Sequence, residues 1–386
     1  MRILHLGKYY APFEGGIENT MRGLMTLQNA SDHQVSAIVH QHKVEDVETC
    51  ELDGDMAIYR MSIQGILMFV PIALFAYFVI RKAIAKERPD VLHLHMPNVS
   101  CFWLLLMPIA RKIPWIIHWH SDVIGERPDA RIKMLYPLYR IFEQWLLRRA
   151  NTVIVTSPNY LVTSVPLQAW HNKCEIVPLG IKCGKESDSV TVSEMALPHG
   201  ELNVLCIGRL TYYKGHEYLI DAIAKVRQSG VDIHLDLVGN GELKPVLEHQ
   251  IASLNLAQSV TLHGALPRKK LTQLIHKTQV VCLPSIERTE AFGLVLLEAM
   301  HAKKPCIVTD VKGSGMSFVV DHLSTGLVVQ HSNAQALADA ITHCAHYPHH
   351  LLEWGDSGYN KVVAEFSMQQ VADKIEMIYQ KALTRV

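Results

Sequence analysis

The stretch Val204-Leu205-Cys206-Ile207-Gly208-Arg209-Leu210-Thr211-Tyr212-Tyr213-Lys214-Gly215 decides the fold class. Four apolar residues end at a glycine, which reads as a buried strand running into a loop. That loop carries Arg209 and Lys214, five residues apart, at the strand's carboxyl end. A guanidinium fork and a point charge placed there can grip a diphosphate; solvated loop charges are the plainer alternative. Outward from it, short apolar runs recur at Ile233 to Val238, Val260 to His263, Val280 to Leu283, Pro305 to Thr309 and Gly326 to Val329. Helical patterns separate them, so this half reads as α/β, a doubly wound parallel sheet.

The first half repeats the alternation at Arg2 to Leu6, Gln34 to Val39, Val91 to His95, Trp115 to His118, Thr152 to Thr156 and Glu175 to Pro178. A chain of 386 residues exceeds one ordinary core. The expected organisation is a Rossmann-like domain over residues 1–183, a polar linker over 184–200 and a second Rossmann-like domain over 201–366. A helix over 367–386 closes the chain. Open parallel sheets bind ligands beyond the carboxyl ends of their strands, so a site in a cleft between two such domains is expected.

Composition narrows the function. Lys and Arg number 37 and Asp and Glu number 37, with no basic tail, which argues against a nucleic-acid binder. The eight cysteines form no Cys-x-x-Cys pair and several sit in apolar runs, as reduced core thiols of the cytosol do. The N-terminal apolar run breaks at Gly7, too early for a signal peptide. Ile63 to Ile80 reaches the length of a membrane span, but Pro71 and the strand soon after favour a buried crossover helix, with monotopic membrane contact the alternative.

Glu290-Ala291-Phe292-Gly293-Leu294-Val295-Leu296-Leu297-Glu298 places two glutamates in an apolar run. A carboxylate there costs free energy unless something polar meets it. A helix opening at Phe292 or Gly293 would aim its first N–H groups at an anion, and phosphate is the natural guest. On an ideal helix Glu290 and Glu298 would lie about 80° apart and share a face.

Asp236-Leu237-Val238-Gly239-Asn240-Gly241-Glu242 lacks the third glycine of a dinucleotide fingerprint, so a nicotinamide cofactor is not expected. Its glycines permit a tight turn or close backbone approach to a ligand. Gly15-Gly16, after the first strand, reads as an amide cradle for phosphate or sugar, or as a plain turn. His118, His120 and Asp122 cluster at a strand end. Asp53-Gly54-Asp55 reads as a hairpin turn rather than a metal site, and the histidines from His343 to His350 as surface. The helix Ala130 to Arg149 sets Ile132, Leu135, Tyr136, Tyr139, Phe142 and Leu146 on one side, with Arg131, Lys133, Arg140, Arg148 and Arg149 elsewhere. Residues 81–149 hold twelve Lys or Arg against six Asp or Glu, which suits an anionic membrane interface or a lipid diphosphate.

Together these residues resemble the retaining glycosyltransferases of family 4, whose fold, GT-B, sets two Rossmann-like domains across a cleft. The resemblance rests on Gly15-Gly16, His120, Ser157 with Val177 to Ile181, Gly208-Arg209 with Lys214-Gly215, Gly239-Asn240-Gly241, and Pro284-Ser285 leading into Glu290 and Glu298. It implies that Arg209 and Lys214 neutralise the donor diphosphate and that Gly15-Gly16 closes over it. The Phe292, Gly293 and Leu294 amides would bind its distal phosphate, Glu290 the sugar and Glu298 the ribose. Gly239 and Leu266 would line the nucleoside, and His120 would reach the transferred sugar. It implies no cofactor, no metal and a nucleotide-sugar donor. The terminal helix would cross back to the first domain. Thr309 to Met316 resembles members that build bacterial surface polysaccharides. That suggests a lipid-diphosphate-linked glycan acceptor at the inner face of the cytoplasmic membrane. His118 stands where such enzymes often carry a small hydroxyl residue. A sugar-nucleotide epimerase and a non-catalytic glycan-binding relative are the alternatives.

Overall fold

The structure is a computed structural model that describes residues 1–13, 15–67, 70–123, 130–184 and 200–384, without the side chains of residues 67 and 130–132. The expected linker falls outside these residues except at its ends. The chain forms two compact units, Met1–Lys182 with Met368–Val386, and Cys183–Ser367.

The first unit runs β1 (Arg2–Leu6), α1 (Gly16–Ala30), β2 (Gln34–His40), β3 (Thr49–Asp53), β4 (Met56–Met61), β5 (Gly65–Leu67), β6 (Val70–Ile72), α2 (Ala76–Glu87), β7 (Val91–Met96), β8 (Trp115–Trp119), α3 (Ala130–Arg149), β9 (Thr152–Val155), α4 (Pro158–Thr163) and β10 (Cys174–Ile176). Eight strands form one sheet in the order β10-β9-β8-β7-β1-β2-β4-β3, parallel except for β3 against β4. Strand order reverses between β1 and β7, which marks their carboxyl ends as a binding crevice. The last helix, Met368–Leu383, packs on this sheet: Val371, Ile375, Ile378 and Tyr379 share one buried core with Ile3, Leu24, Val91 and Ile116.

The second unit runs β11 (Leu202–Ile207), α5 (His216–Gln228), β12 (Ile233–Val238), α6 (Lys244–Ser253), β13 (Val260–Gly264), α7 (Arg268–Lys277), β14 (Val280–Leu283), α8 (Leu294–His301), β15 (Cys306–Thr309), α9 (Met316–Val319), β16 (Gly326–Val329), α10 (Ala334–His346) and α11 (Pro348–Glu365); the terminal helix is α12. Its six strands are all parallel, in the order β13-β12-β11-β14-β15-β16. This is the Rossmann order, with its reversal between β11 and β14.

One local reading changes and another is borne out. Ile63 to Ile80 is not one crossover helix: Gly65–Leu67 pairs antiparallel with Val70–Ile72, Pro71 lies in the second of these strands, and the helix starts only at Ala76. A proline lacks the donor a helix interior requires, so the hairpin takes the segment that contains it. Among the described residues no helix is long and apolar enough to cross a membrane. The edge pair β3–β4 turns at Gly54 (φ 61°), and Asp53 accepts from the Tyr10 hydroxyl at 2.8 Å and from Arg22 Nε at 3.0 Å, so this dyad is a braced hairpin turn.

Candidate functional site

The carboxyl ends of β11 and β14 lie side by side because the two strands pair, Val204 with Val280 and Leu205 with Val281. Two loops are thereby joined. After β11, Gly208 to Gly215 bends through Tyr212–Lys214; after β14, Pro284 to Gly293 leads into α8. Ile286 N–H donates to Tyr213 O at 2.8 Å, and the Tyr212 hydroxyl donates to Glu287, buried at 2% exposure. At the centre Lys214 Nζ forms an ion pair with Glu290 Oε2, both side chains only about one-tenth exposed. Burial alone would lower the lysine pKa, but the facing Glu290 outweighs it and holds Lys214 charged, above its usual range. The lysine stem lies across Gly208, where an added Cβ would sit 3.1 Å from its Nζ. Arg209 is exposed on the same loop.

Gly293 caps α8 in the left-handed region (φ 84°), so the helix begins at Leu294. Glu290 therefore stands in the preceding loop, and the expected 80° helical relation to Glu298 does not apply. The change of backbone hand at Gly293 separates the two residues. The early N–H groups of α8 open toward the loop that carries Glu290, as an anion site requires. Phe292 contributes backbone here, since its ring is buried edge-on against Phe366. The loop is clamped from the segment between β15 and α9: Ser314 Oγ donates to Glu290 O at 2.5 Å, and Gly315 N–H to Ala291 O at 2.9 Å.

Glu298, in the second turn of α8, accepts from Arg268 Nη1 at 2.6 Å. Arg268 opens α7 two residues after half-buried Leu266, so one ion pair draws the β13 loop and α8 together. A ribose on Glu298 would compete with this arginine, which sequence reasoning had missed. Gly239 has φ 145°, and an added Cβ would lie 1.9 Å from Gly208 O. Its want of a side chain is accounted for by the neighbouring loop rather than by a ligand.

In the first unit Gly15 caps α1 in extended conformation, and Glu18 occupies the third helical position with Oε2 2.3 Å from where a Gly15 Cβ would stand. The carboxylate folds over the helix start, so a phosphate at Gly15-Gly16 must displace it. His120 follows β8, its N–H donating to Met96 O at 3.0 Å. It is 4% exposed, and burial pushes its pKa down to about 3. His5, His93, His95 and His118 are buried beside it. His5, His93 and His95, and likewise His95, His118 and His120, each bring three ring nitrogens within 4.8 Å of one another. The donor type suits a cation, where sequence reasoning expected no metal. Most of these nitrogens, however, face another ring or a side-chain partner, and no carboxylate joins the set to offset charge.

The basic residues of α3 do not converge on this site. Lys133, Arg140 and Arg148 are exposed, Arg149 stacks on Trp115 at 4.8 Å, and the Arg131 side chain lies outside the described residues. The apolar reading of α3 also changes. Leu146 is buried and Tyr136, Tyr139 and Phe142 half-buried, but Leu135 is exposed and Ile132 lies outside the described side chains. Met134, Leu138, Ile141 and Trp145 form an exposed stripe at helical spacing. Glu143, on the covered side, is fully buried with neither oxygen hydrogen-bonded, and burial and then Asp122 push its pKa up to about 8.

Comparison with known proteins accords with this geometry. Residues 192–361 match the family model for glycosyl transferases group 1, and residues 15–180 that for a glycosyl transferase 4-like domain. An uncharacterized glycosyltransferase of Methanocaldococcus jannaschii is 30% identical over 402 residues, covering 99% of both chains. The O-antigen chain mannosyltransferase C of Escherichia coli is 26% identical over 385 residues, covering 98% of both. The solved structure of Anabaena HepE in complex with UDP superposes with TM-score 0.75 at 18% identity, covering 99% of this chain and 100% of that one. The fold is GT-B, and the chain belongs to the glycosyltransferases.

Proposed function

We propose that this enzyme transfers a hexosyl unit, with retention of configuration, from a UDP- or GDP-sugar to a lipid-diphosphate-linked glycan of a bacterial surface polysaccharide. The observation that carries the reading is the Lys214–Glu290 pair at the β11/β14 reversal, beside the start of α8. Donor binding exchanges partners: Lys214 turns from Glu290 to the diphosphate, and Glu290, released, accepts hydroxyls of the sugar. Lys214, Arg209 and the α8 amides meet the charge that grows on the leaving diphosphate, which is electrostatic catalysis with no step routed through a metal. The acceptor hydroxyl attacks on the face the diphosphate leaves and gives its proton to the departing phosphate oxygen. UDP in the HepE complex and the O-antigen chain named for the Escherichia coli relative support the donor and acceptor classes.

Screening nucleoside diphosphates by thermal shift tests the donor class. A true ligand at one hundred times its Kd adds about 2.7 kcal/mol of stability, and no stabilisation by any of them removes the proposal. Glu290→Ala is expected to lose turnover far more than nucleotide affinity. Equal losses would contradict the partner exchange.

An acceptor at a membrane is supported by the α3 stripe, with Leu74, Phe75 and Phe78 before and within α2 also exposed. Lys133, Arg140 and Arg148 on α3 complement an anionic surface. Each exposed apolar side chain that enters the interface contributes about 1.5 kcal/mol or more, so Leu138→Glu with Trp145→Glu should weaken binding to anionic vesicles about 100-fold. Both positions are solvent-exposed, and nucleotide binding should be unchanged. Retention of vesicle binding would remove α3 from the membrane face.

A further inference from the structure

Five imidazoles, one amide and one phenol form a single hydrogen-bonded line inside the first unit. His120 Nε2 meets His95 Nδ1 at 3.0 Å, His95 Nε2 meets His5 Nδ1 at 3.1 Å, and His5 Nε2 meets Gln28 Oε1 at 2.8 Å. Gln28 Nε2 donates to the Tyr379 hydroxyl at 3.0 Å, that hydroxyl meets His93 Nδ1 at 2.5 Å, and His93 Nε2 meets His118 Nδ1 at 3.3 Å. The ends of the line are His120 Nδ1 and His118 Nε2, two buried nitrogens without a hydrogen-bond partner. Sheet register makes the convergence: His5 pairs with His93 and His95 with His118, while alternate residues on a strand share a face.

Burial lowers the pKa of all five rings, so each is neutral and carries one ring hydrogen. Each is then a donor at one nitrogen and an acceptor at the other. With Gln28 donating to Tyr379, the polarity is the same along the whole line. Tyr379 gives its hydrogen to His93 Nδ1, His93 gives Nε2–H to His118, and His5 gives Nε2–H to Gln28. All five rings are therefore the Nε2–H tautomer, which leaves His120 with a bare Nδ1 and His118 with an unused Nε2–H. Turning the amide over would reverse every bond together and exchange those roles.

We propose that Gln28 and Tyr379 are positioning residues that set the tautomers of His120 and His118 through this line, and with them the hydrogen bond each can offer a substrate. The functional half rests on the reading of His120 as a sugar contact; the tautomer half does not. Long-range 1H–15N correlation spectra of the full chain, labelled at histidine, read the tautomers directly. The wild type should show the five rings as Nε2–H. Gln28→Leu should release His5, His95 and His120 into mixed tautomers while the Tyr379 hydroxyl, donating to His93 Nδ1, still holds His93 and His118; Tyr379→Phe should release all five, since the Gln28 amide is then free to turn over. Gln28→Leu should also lower kcat about tenfold, the value of one hydrogen bond, with the Kd for nucleoside diphosphate unchanged. A purely structural role would shift melting temperature without this split. Should Gln28→Leu fail to fold, the nearly isosteric Tyr379→Phe carries the test alone. Mixed tautomers in the wild type would overturn the proposal. So would stoichiometric cobalt(II) uptake with ligand-field bands, because a metal-bound nitrogen cannot carry the required hydrogen. Full activity in His120→Ala would remove the sugar contact while leaving the tautomer pattern to stand or fall by the spectra.

Discussion

Lys214→Met should lower kcat by about 10²–10³, the loss expected when one preorganised charge aimed at a leaving group is removed. The variant also leaves the Glu290 carboxylate without its cation in a largely buried position. Breaking a buried pair costs about 3–5 kcal/mol, and residual exposure near one-tenth on each side places this one toward the lower figure. Loss of activity could then be blamed on unfolding, so the informative comparison is Lys214→Met combined with Glu290→Gln. With both charges gone there is no uncompensated carboxylate, and the urea midpoint should return most of the way to the wild type. Turnover should not return, because the diphosphate still departs without Lys214. If the double variant recovers turnover as well as stability, the pair is a structural tie and the catalytic assignment of Lys214 fails.

Much of the architecture was legible because its signals are local. The run Val280 to Leu283 is apolar throughout, as a strand covered on both faces must be, and Ile233 to Val238 is apolar except at His234 and Asp236; the structure gives both the same limits. The edge strand Thr49–Asp53 was announced only by the hairpin turn at Asp53-Gly54, because it is largely solvent-facing and has no apolar run of its own. The site was legible only in part. Lys214 and Glu290 could be read as charges near strand ends, but their meeting depends on the pairing of β11 with β14. That pairing joins residues more than seventy apart. Arg268 had no signal, being one basic residue among several at the start of a helix. The histidines show the same divide. His93 and His95 alternate visibly along their strand, yet their contact with His5 and His118 is a consequence of register across three strands, which no single segment contains.

Gly239→Ala should be among the most destabilising single changes in the second unit. Two effects combine there. The residue has φ 145°, a conformation L side chains rarely adopt, and an added Cβ would stand 1.9 Å from Gly208 O and 2.8 Å from Gly208 C. Both are backbone atoms held by the β11–β12 register, where Gly208 N–H donates to Val238 O at 2.9 Å, so neither can swing aside. Backbone strain contributes about 1–3 kcal/mol and the forced separation adds to it, so a loss above about 3 kcal/mol is expected. Gly230→Ala supplies the control, since Gly230 also has positive φ (88°) but nothing within 4 Å of its Cβ position. It should lose only the conformational part, about 1 kcal/mol. The difference between the two urea midpoints isolates the steric contribution. Because Lys214 lies over Gly208, any shift of that backbone should also displace the lysine, and Gly239→Ala should lose turnover even at temperatures where it remains folded. If instead the two alanine variants are equally stable and equally active, the loop after β12 does not position Lys214, and the reason for glycine at 239 lies with the ligand rather than with the fold.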